Sequence, residues 1–306
     1  MTPTVSIVIP THNRRELLLR TVRTALAQHA VAVEVLVVDD GSTDGTADAV
    51  RALGDPRVCV HRHERPVRVA AARNSGAGLA RGAWIAFLDD DDLWSPAKLA
   101  CQLDAAARTG RAWVYAGAVE IDATDRLRGG EPPPSPETLM TRLIDGNIMP
   151  AGCSNVAIRA DLFRAVDGFD SQLRHLADWD LWLRLAALGP PACVPLPLVA
   201  YRTHGGQATL DPTGMMAEGR LLEARHGASL NSIRRWKAWS HLRRGERRLA
   251  VRAYARAVLA GDLSSLGRAA VAALDGNPTT FRVAHATRDR AWHRAAADWL
   301  AVTRQP

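Results

Sequence analysis

Short apolar runs alternate with amphipathic stretches along the first part of the chain. Val5 to Ile9 is an apolar run closed by Pro10, and Glu16 to Gln28 then sets Leu17, Leu18, Val22, Ala25 and Leu26 at helical spacing. Val33 to Val38, Val58 to His61 and Ile85 to Leu88 repeat the strand pattern, and helices are predicted over 46–53, 70–80 and 96–108. Strand-to-helix units in succession predict an α/β fold with a mostly parallel central sheet and helices on both faces. Further on, Ala112 to Gly117 and Ser154 to Ile158 read as strands, and 161–166 and 178–188 as helices. Val194 to Tyr201 is extended but interrupted by prolines, which places it at a sheet edge. Residues 118–137, with Gly129-Gly130 and Pro132-Pro133-Pro134, read as irregular.

From about Met215 the strand signals stop, and Ala, Arg, Leu and Trp recur at helical spacing with breaks at Gly245, Gly261 and Gly276-Asn277-Pro278. The pattern therefore divides the 306 residues into an α/β region over 1–214 and an all-helical appendage over 215–306.

Charge sharpens that division. The net charge of +7 is uneven: residues 1–219 hold 22 Lys/Arg against 26 Asp/Glu, while 220–306 hold 17 against 6. A basic tail suits an anionic surface, and Trp236, Trp239, Trp292 and Trp299 among its arginines fit a peripheral membrane contact or, more simply, packing between helices. No nucleic-acid-binding motif is present, so no nucleic-acid partner is expected. No run approaches the roughly 18 apolar residues that span a bilayer. The opening MTPTVSIVIPTHN reads as a strand and turn rather than a signal peptide, so the expected location is the cytoplasm, peripheral at the inner face of the membrane if the tail binds there. Cys59, Cys101, Cys153 and Cys193 form no CxxC pair and read as buried free thiols.

The chemistry concentrates where predicted strands end. In WIAFLDDDDLWSP an apolar run stops abruptly at Asp89, Asp90, Asp91 and Asp92. Four adjacent carboxylates repel one another, so the turn is either well solvated, capping the helix that follows, or neutralised by a hard divalent ion such as Mg2+ or Mn2+. Two other predicted strand ends, Pro10-Thr11-His12-Asn13 and Asp39-Asp40, share its rim. Thr, Asn and backbone groups there can hydrogen-bond a planar base, and a carboxylate can accept from ribose hydroxyls or a uracil-type N–H. PTHNRRE after the first strand carries no glycine and no Lys-Ser/Thr, which excludes a Walker loop and a Rossmann fingerprint. Diphosphate charge at this rim must then be met by a metal and basic side chains.

The motifs VSIVIPTHNR, VVDDGSTDGT, ARNSGAGLARGAWIAFLDDDDLWSPAKL, ADWDLWLRL and YRTHGGQAT resemble, in order, those of the family 2 inverting nucleotide-sugar glycosyltransferases. The resemblance spans Val5 to about Gln207 and implies the GT-A fold, a Rossmann-like sheet, followed here by the helical appendage. It implies that Pro10, Thr11, Asn13 and Asp39 lie around the base and that Arg73 approaches the nucleotide. Asp89 and Asp90 would line the ribose and diphosphate, with Asp91 as the metal ligand of a DxD-type motif and His204 near the metal. Asp178 takes the position of the catalytic carboxylate. The family often has Glu before that Asp; here the position is Ala177. From spacing alone, Asp178 and Asp180 also fit an acidic first turn favoured by the helix dipole, Arg73 a structural ion pair, and Asp44 a helix cap. The implied activity is inverting transfer of a sugar from a UDP- or dTDP-type donor to a hydroxyl of a glycan or lipid-linked acceptor. A nucleotidyltransferase on a similar scaffold, or a non-catalytic nucleotide-sugar-binding module tethered by its basic tail, are the alternatives.

Overall fold

The computed structural model describes residues 2–203, 212–274 and 290–303. Among them the strands are β1 (Val5–Thr11), β2 (Val33–Asp39), β3 (Val58–Arg62), β4 (Trp84–Phe87), β5 (Leu93–Trp94), β6 (Trp113–Ile121), β7 (Leu127–Glu131), β8 (Ala157–Arg159) and β9 (Ala192–Arg202). The helices are α1 (Arg15–Leu26), α2 (Thr46–Arg51), α3 (Val69–Leu79), α4 (Lys98–Thr109), α5 (Pro136–Arg142), α6 (Ala160–Ala165), α7 (Ala177–Leu188), α8 (Pro212–His226), α9 (Asn231–Arg243), α10 (Arg247–Leu259), α11 (Ser265–Leu274) and α12 (Arg290–Thr303). Two compact units result, one of residues 1–140, 149–204 and 289–306, the other of residues 141–148 and 205–288.

The first unit is built on one sheet in the order β3-β2-β1-β4-β8-β6-β9-β5, with β7 paired to β6. β1 to β4 pair in parallel with one another, as the strand-to-helix alternation requires. β8 runs antiparallel to both β4 and β6, which makes the second half of the sheet mixed. Every residue of β1 and β2 is buried, which explains why those strands read as continuous apolar runs rather than alternating ones.

Three segments differ from the sequence expectation. Residues 118–137 are not irregular: β6 continues to Ile121 and folds back as a hairpin onto β7. Gly130 makes this possible, because a Cβ there would lie 2.6 Å from Val119 Cα and its φ of +125° disfavours any other residue. The Pro-rich segment is not an edge but β9, between β6 and β5. Its register jumps from Val194 opposite Ala116 to Pro197 opposite Gly117, so a bulge at Pro195 and Leu196 takes up a proline that cannot donate to the ladder. Finally, α12 belongs to the first unit, where Trp292, Ala296 and Leu300 pack with Leu93, Val119, Ile121 and Ala200. Trp299 donates its indole N–H to the Pro197 carbonyl at 2.8 Å. Trp292 and Trp299 are thus packing residues.

The second unit contains α8 to α11, with a small core of Ala238, Leu242, Ala250, Tyr254 and Ala272. No helix among the described residues is long and apolar enough to cross a membrane.

Candidate functional site

Parallel pairing sets Thr11 opposite Asp39, and β4 runs beside β1 on its other side, so three strand ends open onto one rim. Pro10 and Thr11 are buried in β1, and the Thr11 hydroxyl donates to Asp90 Oδ2 at 2.7 Å. Asn13, at φ +53°, accepts from the Thr43 N–H at 2.8 Å and donates its own N–H to Ser42 Oγ, which staples the turn after β1 to the turn after β2. Asp44 accepts from the Thr46 N–H and hydroxyl just ahead of α2, whose N-cap position is held by Gly45 rather than by Asp44.

Asp39 and Asp40 divide their work. Asp40 is saturated, accepting from the Val67 and Arg68 N–H groups at 2.8 and 3.0 Å with His63 Nδ1 at 2.9 Å. Asp39 Oδ1 accepts from the Ser42 N–H at 2.8 Å. Its Oδ2 is buried without a hydrogen bond, and the Arg62 Nε is 3.6 Å away. A buried carboxylate oxygen without a donor is costly, so this atom is a ready acceptor for a ligand N–H.

The four carboxylates after β4 divide among three sets of partners. Asp89 pairs with Arg73 at 2.5 Å. Asp90 and Asp91 share Arg14 Nη1, at 3.0 and 2.7 Å. Asp92 is fully buried, accepting from the Ser154 hydroxyl at 2.5 Å and the Arg202 N–H at 2.8 Å. Arg202 also donates to the Asp91 carbonyl at 2.8 Å, so β9 braces the turn from below. Burial pushes the Asp90 carboxyl up to about 6 against the pull of Arg14, and burial raises Asp92 as well. Helix α4 begins only at Lys98, with Ala97 before it and no side-chain cap, so the acidic turn does not serve as a helix cap.

Arg73 connects this turn to the distant carboxylate. It lies buried on α3, where burial opposes its charge and Asp89 outweighs that, raising its pKa; Asp178 contributes in the same direction. The buried Cys153 thiol, pushed up chiefly by burial, feels Arg73, Asp178 and Asp89 together. Asp178, in the first turn of α7, therefore shares an electrostatic environment with Asp89 despite lying 89 residues later. Helix α7 is fixed by apolar packing: Leu181 and Leu185 are buried, and Trp182 stacks on Trp113 of β6 with ring centroids 6.4 Å apart. Asp180 is engaged elsewhere, with Arg184 at 2.7 Å. Asp178 Oδ1 accepts from the next N–H, of Trp179, at 2.8 Å, whereas Leu176 occupies the capping position. Gly152 leaves room beside it, since a Cβ there would stand 3.4 Å from Asp178 Oδ2.

His204 lies outside the described residues. Among the described residues no three His, Cys, Asp or Glu side chains form a metal cage. Sequence reasoning missed Arg14, Ser154 and Arg202. Arg14 had a signal, a cation three residues past a strand end on the same rim, whereas Arg202 and Ser154 are joined to the turn only by folding.

Comparison with known proteins bears on the family and the fold. The model of the family "Glycosyl transferase family 2" matches residues 6–167, more than half the chain. The chain is 43% identical over 108 residues to the succinoglycan biosynthesis protein ExoO of Rhizobium meliloti, a match covering 35% of this chain and 31% of that protein. It is 30% identical over 181 residues to the UDP-Glc:alpha-D-GlcNAc-diphosphoundecaprenol beta-1,3-glucosyltransferase WfgD of Escherichia coli, covering 59% of this chain and 69% of that one. Among solved structures, S. aureus TarS 1-349 in complex with UDP-GlcNAc superposes with a TM-score of 0.62 at 15% identity over 90% of each chain. The sheet is thus that of the GT-A fold. On the matched model and the extent of the WfgD match, the chain belongs to glycosyl transferase family 2.

Proposed function

We propose that the chain catalyses inverting transfer of a sugar from a nucleoside diphosphate donor, of UDP or dTDP type, to a hydroxyl on a glycan or lipid-linked acceptor. The observation that supports this reading is that Asp89 and Asp178 both act on the buried Arg73 guanidinium, so a carboxylate from the first turn of α7 shares its electrostatic surroundings with the acidic turn. In a single displacement the acceptor hydroxyl must lose a proton as it attacks the anomeric carbon, and a carboxylate held beside it can take that proton. Asp178 serves as that base. Asp39 Oδ2 receives the N–H of the base, a role that its buried, undonated state supports. Thr11 and Asn13 hold the wall around it, with Pro10 behind them.

A divalent ion fits Asp91. Its carboxylate offers hard oxygen donors, and Mg2+ or Mn2+ commonly binds one or two carboxylates and completes its shell with substrate phosphates and water, so no preformed cage is needed. Asp91 would hold the ion, with His204 as the second protein ligand, and when bound it supplies positive charge for the departing diphosphate. Asp89 and Asp90 line the ribose and diphosphate, and Arg14 and Arg73 keep the turn compact.

The names of the relatives support the acceptor class: ExoO is a succinoglycan biosynthesis protein, and WfgD acts on a diphosphoundecaprenol-linked sugar. The chain's match covers only 31% of ExoO and 39% of the E. coli protein WfaP, so the acceptor is part of the proposal. The test is a thermal-shift screen of nucleoside diphosphates and their sugars with and without Mn2+, followed by NMR of the product anomer. A uridine or thymidine diphosphate that raises Tm only with metal, and a product of opposite anomeric configuration, are the expected results. No nucleotide response, or retention of configuration, overturns the reading.

A further inference from the structure

Where α10 turns into α11, the second unit carries leucines outward rather than into its core. The core between α9, α10 and α11 is built largely from small residues, Ala238, Ala250 and Ala272 with Tyr254 and Leu242. Leu259, at the end of α10, is 88% exposed, Leu263 in the turn is 75% exposed, and Leu266 at the start of α11 is 64% exposed. Three leucines clustered at one hairpin tip are an apolar feature that a water-facing surface does not need.

The charge around them has one sign. Arg248, Arg252 and Arg256 are exposed on α10, and their spacing of four residues carries them along one helix face toward Leu259. Residues 247–274 contain five arginines and a single acid, Asp262. That acid is turned inward: it is buried, accepts from the Ser264 and Ser265 hydroxyls at 2.6 Å each, and pairs with Arg235 at 3.0 Å. These bonds anchor the turn at its one acidic residue and leave Leu263 and Leu266 pointing outward beside an uncompensated basic stripe.

We infer that the α10–α11 tip is a membrane-docking element that inserts Leu259, Leu263 and Leu266 among the acyl chains of an anionic bilayer while Arg248, Arg252 and Arg256 meet the lipid phosphates. Apolar side chains at an interface with arginines alongside are the arrangement that anionic lipid surfaces bind, through apolar burial and charge attraction together. The exposed charge of one sign selects this occupant over a second copy of the chain, whose identical arginines would repel. The inference goes beyond sugar transfer and does not depend on it.

The test is flotation of the full chain with phosphatidylcholine vesicles containing about 30 mol% phosphatidylglycerol, with pure phosphatidylcholine as the control. The chain is expected to float with the anionic vesicles, and about 0.5 M salt is expected to weaken that binding. The Leu259→Ser/Leu263→Ser/Leu266→Ser variant loses about tenfold or more in vesicle affinity with its circular dichroism unchanged. Arg248→Gln/Arg252→Gln/Arg256→Gln loses a similar factor and most of the salt dependence. Leu263→Glu serves as the single-site check should the triple variant lose helicity. Wild-type binding by both leucine variants, equal binding to neutral and anionic vesicles, or a dimer in light scattering that the leucine variant dissociates would each overturn the inference.

Discussion

Arg14 Nη1 lies 2.7 Å from Asp91 Oδ2, so a guanidinium occupies the oxygen that the proposed reaction assigns to a divalent ion. The same nitrogen reaches Asp90 Oδ1 at 3.0 Å, which makes Arg14 the counter-charge of two adjacent carboxylates. Cation and guanidinium then compete for one site. Removing the arginine should favour the ion, with a gain kept modest because the Arg14 side chain is 28% exposed and solvent screens the pair. Arg14→Gln is expected to raise Mn2+ affinity roughly threefold in the absence of nucleotide, read from the electron paramagnetic signal of free Mn2+. Unchanged affinity would place the ion elsewhere.

Asp39 offers a cleaner discrimination, because its buried Oδ2 has no hydrogen-bond donor and its proposed partner is the base alone. Losing a hydrogen bond to a charged group costs about 1.5–3 kcal/mol, or roughly a tenfold to hundredfold weakening. Asp39→Ala should therefore weaken UDP binding by about tenfold or more while leaving inorganic pyrophosphate, which has no base, nearly unaffected. Calorimetry showing equal losses for both probes would remove the base contact.

Glu34 governs acid stability on the opposite side of the same strands. It is buried, accepting from the Ser6 hydroxyl at 2.6 Å, from the Arg81 N–H at 2.8 Å and from the Arg81 side chain. Burial alone would raise its pKa, but these donors outweigh burial and hold it below the ordinary 4.5. A depressed folded-state pKa contributes stability above the unfolded value and loses it as pH falls through the folded one. Glu34→Gln should cost about 1–3 kcal/mol near neutral pH, with the difference from wild type shrinking below pH 4.5 in denaturant titrations. A difference that stays constant with pH would contradict the ionic role.

Gly117 is the contact point for α12. A Cβ there would lie 2.1 Å from Trp292 Cη2 and 2.9 Å from the Leu196 carbonyl oxygen. Gly117→Ala is expected to destabilise the first unit by about 1–3 kcal/mol through overpacking, and adding Trp292→Leu should recover part of that loss. Additive effects in the double variant would show that the two residues do not touch in solution.

How much of this was legible beforehand follows from which forces are local. β1 to β4 and the helices between them were readable because each is a continuous apolar run or a helical stripe that reports its own burial. β7 and the centrality of β9 were not, since Gly129, Gly130, Pro195 and Pro197 signal turns in isolation and become strand residues only when β6 pairs with both segments. The site was legible where side chains sit at strand ends, as with Thr11, Asp39 and the acidic turn. It was illegible where partners meet across more than a hundred residues, as Arg202 does with Asp92. The tail's tryptophans read equally well as membrane anchors or packing, and Trp292 packs on the sheet while the exposed leucines lie in another segment.

The claim that bears most weight is that Asp178 takes the acceptor's proton while the acidic turn holds the donor. Its most direct measurement is single-turnover transfer paired with donor affinity for Asp178→Asn. The account predicts a donor Kd within about twofold of wild type and a transfer rate lower by about a hundredfold or more, the scale of general-base catalysis. A rate close to wild type, or donor binding lost in step with the rate, would contradict it.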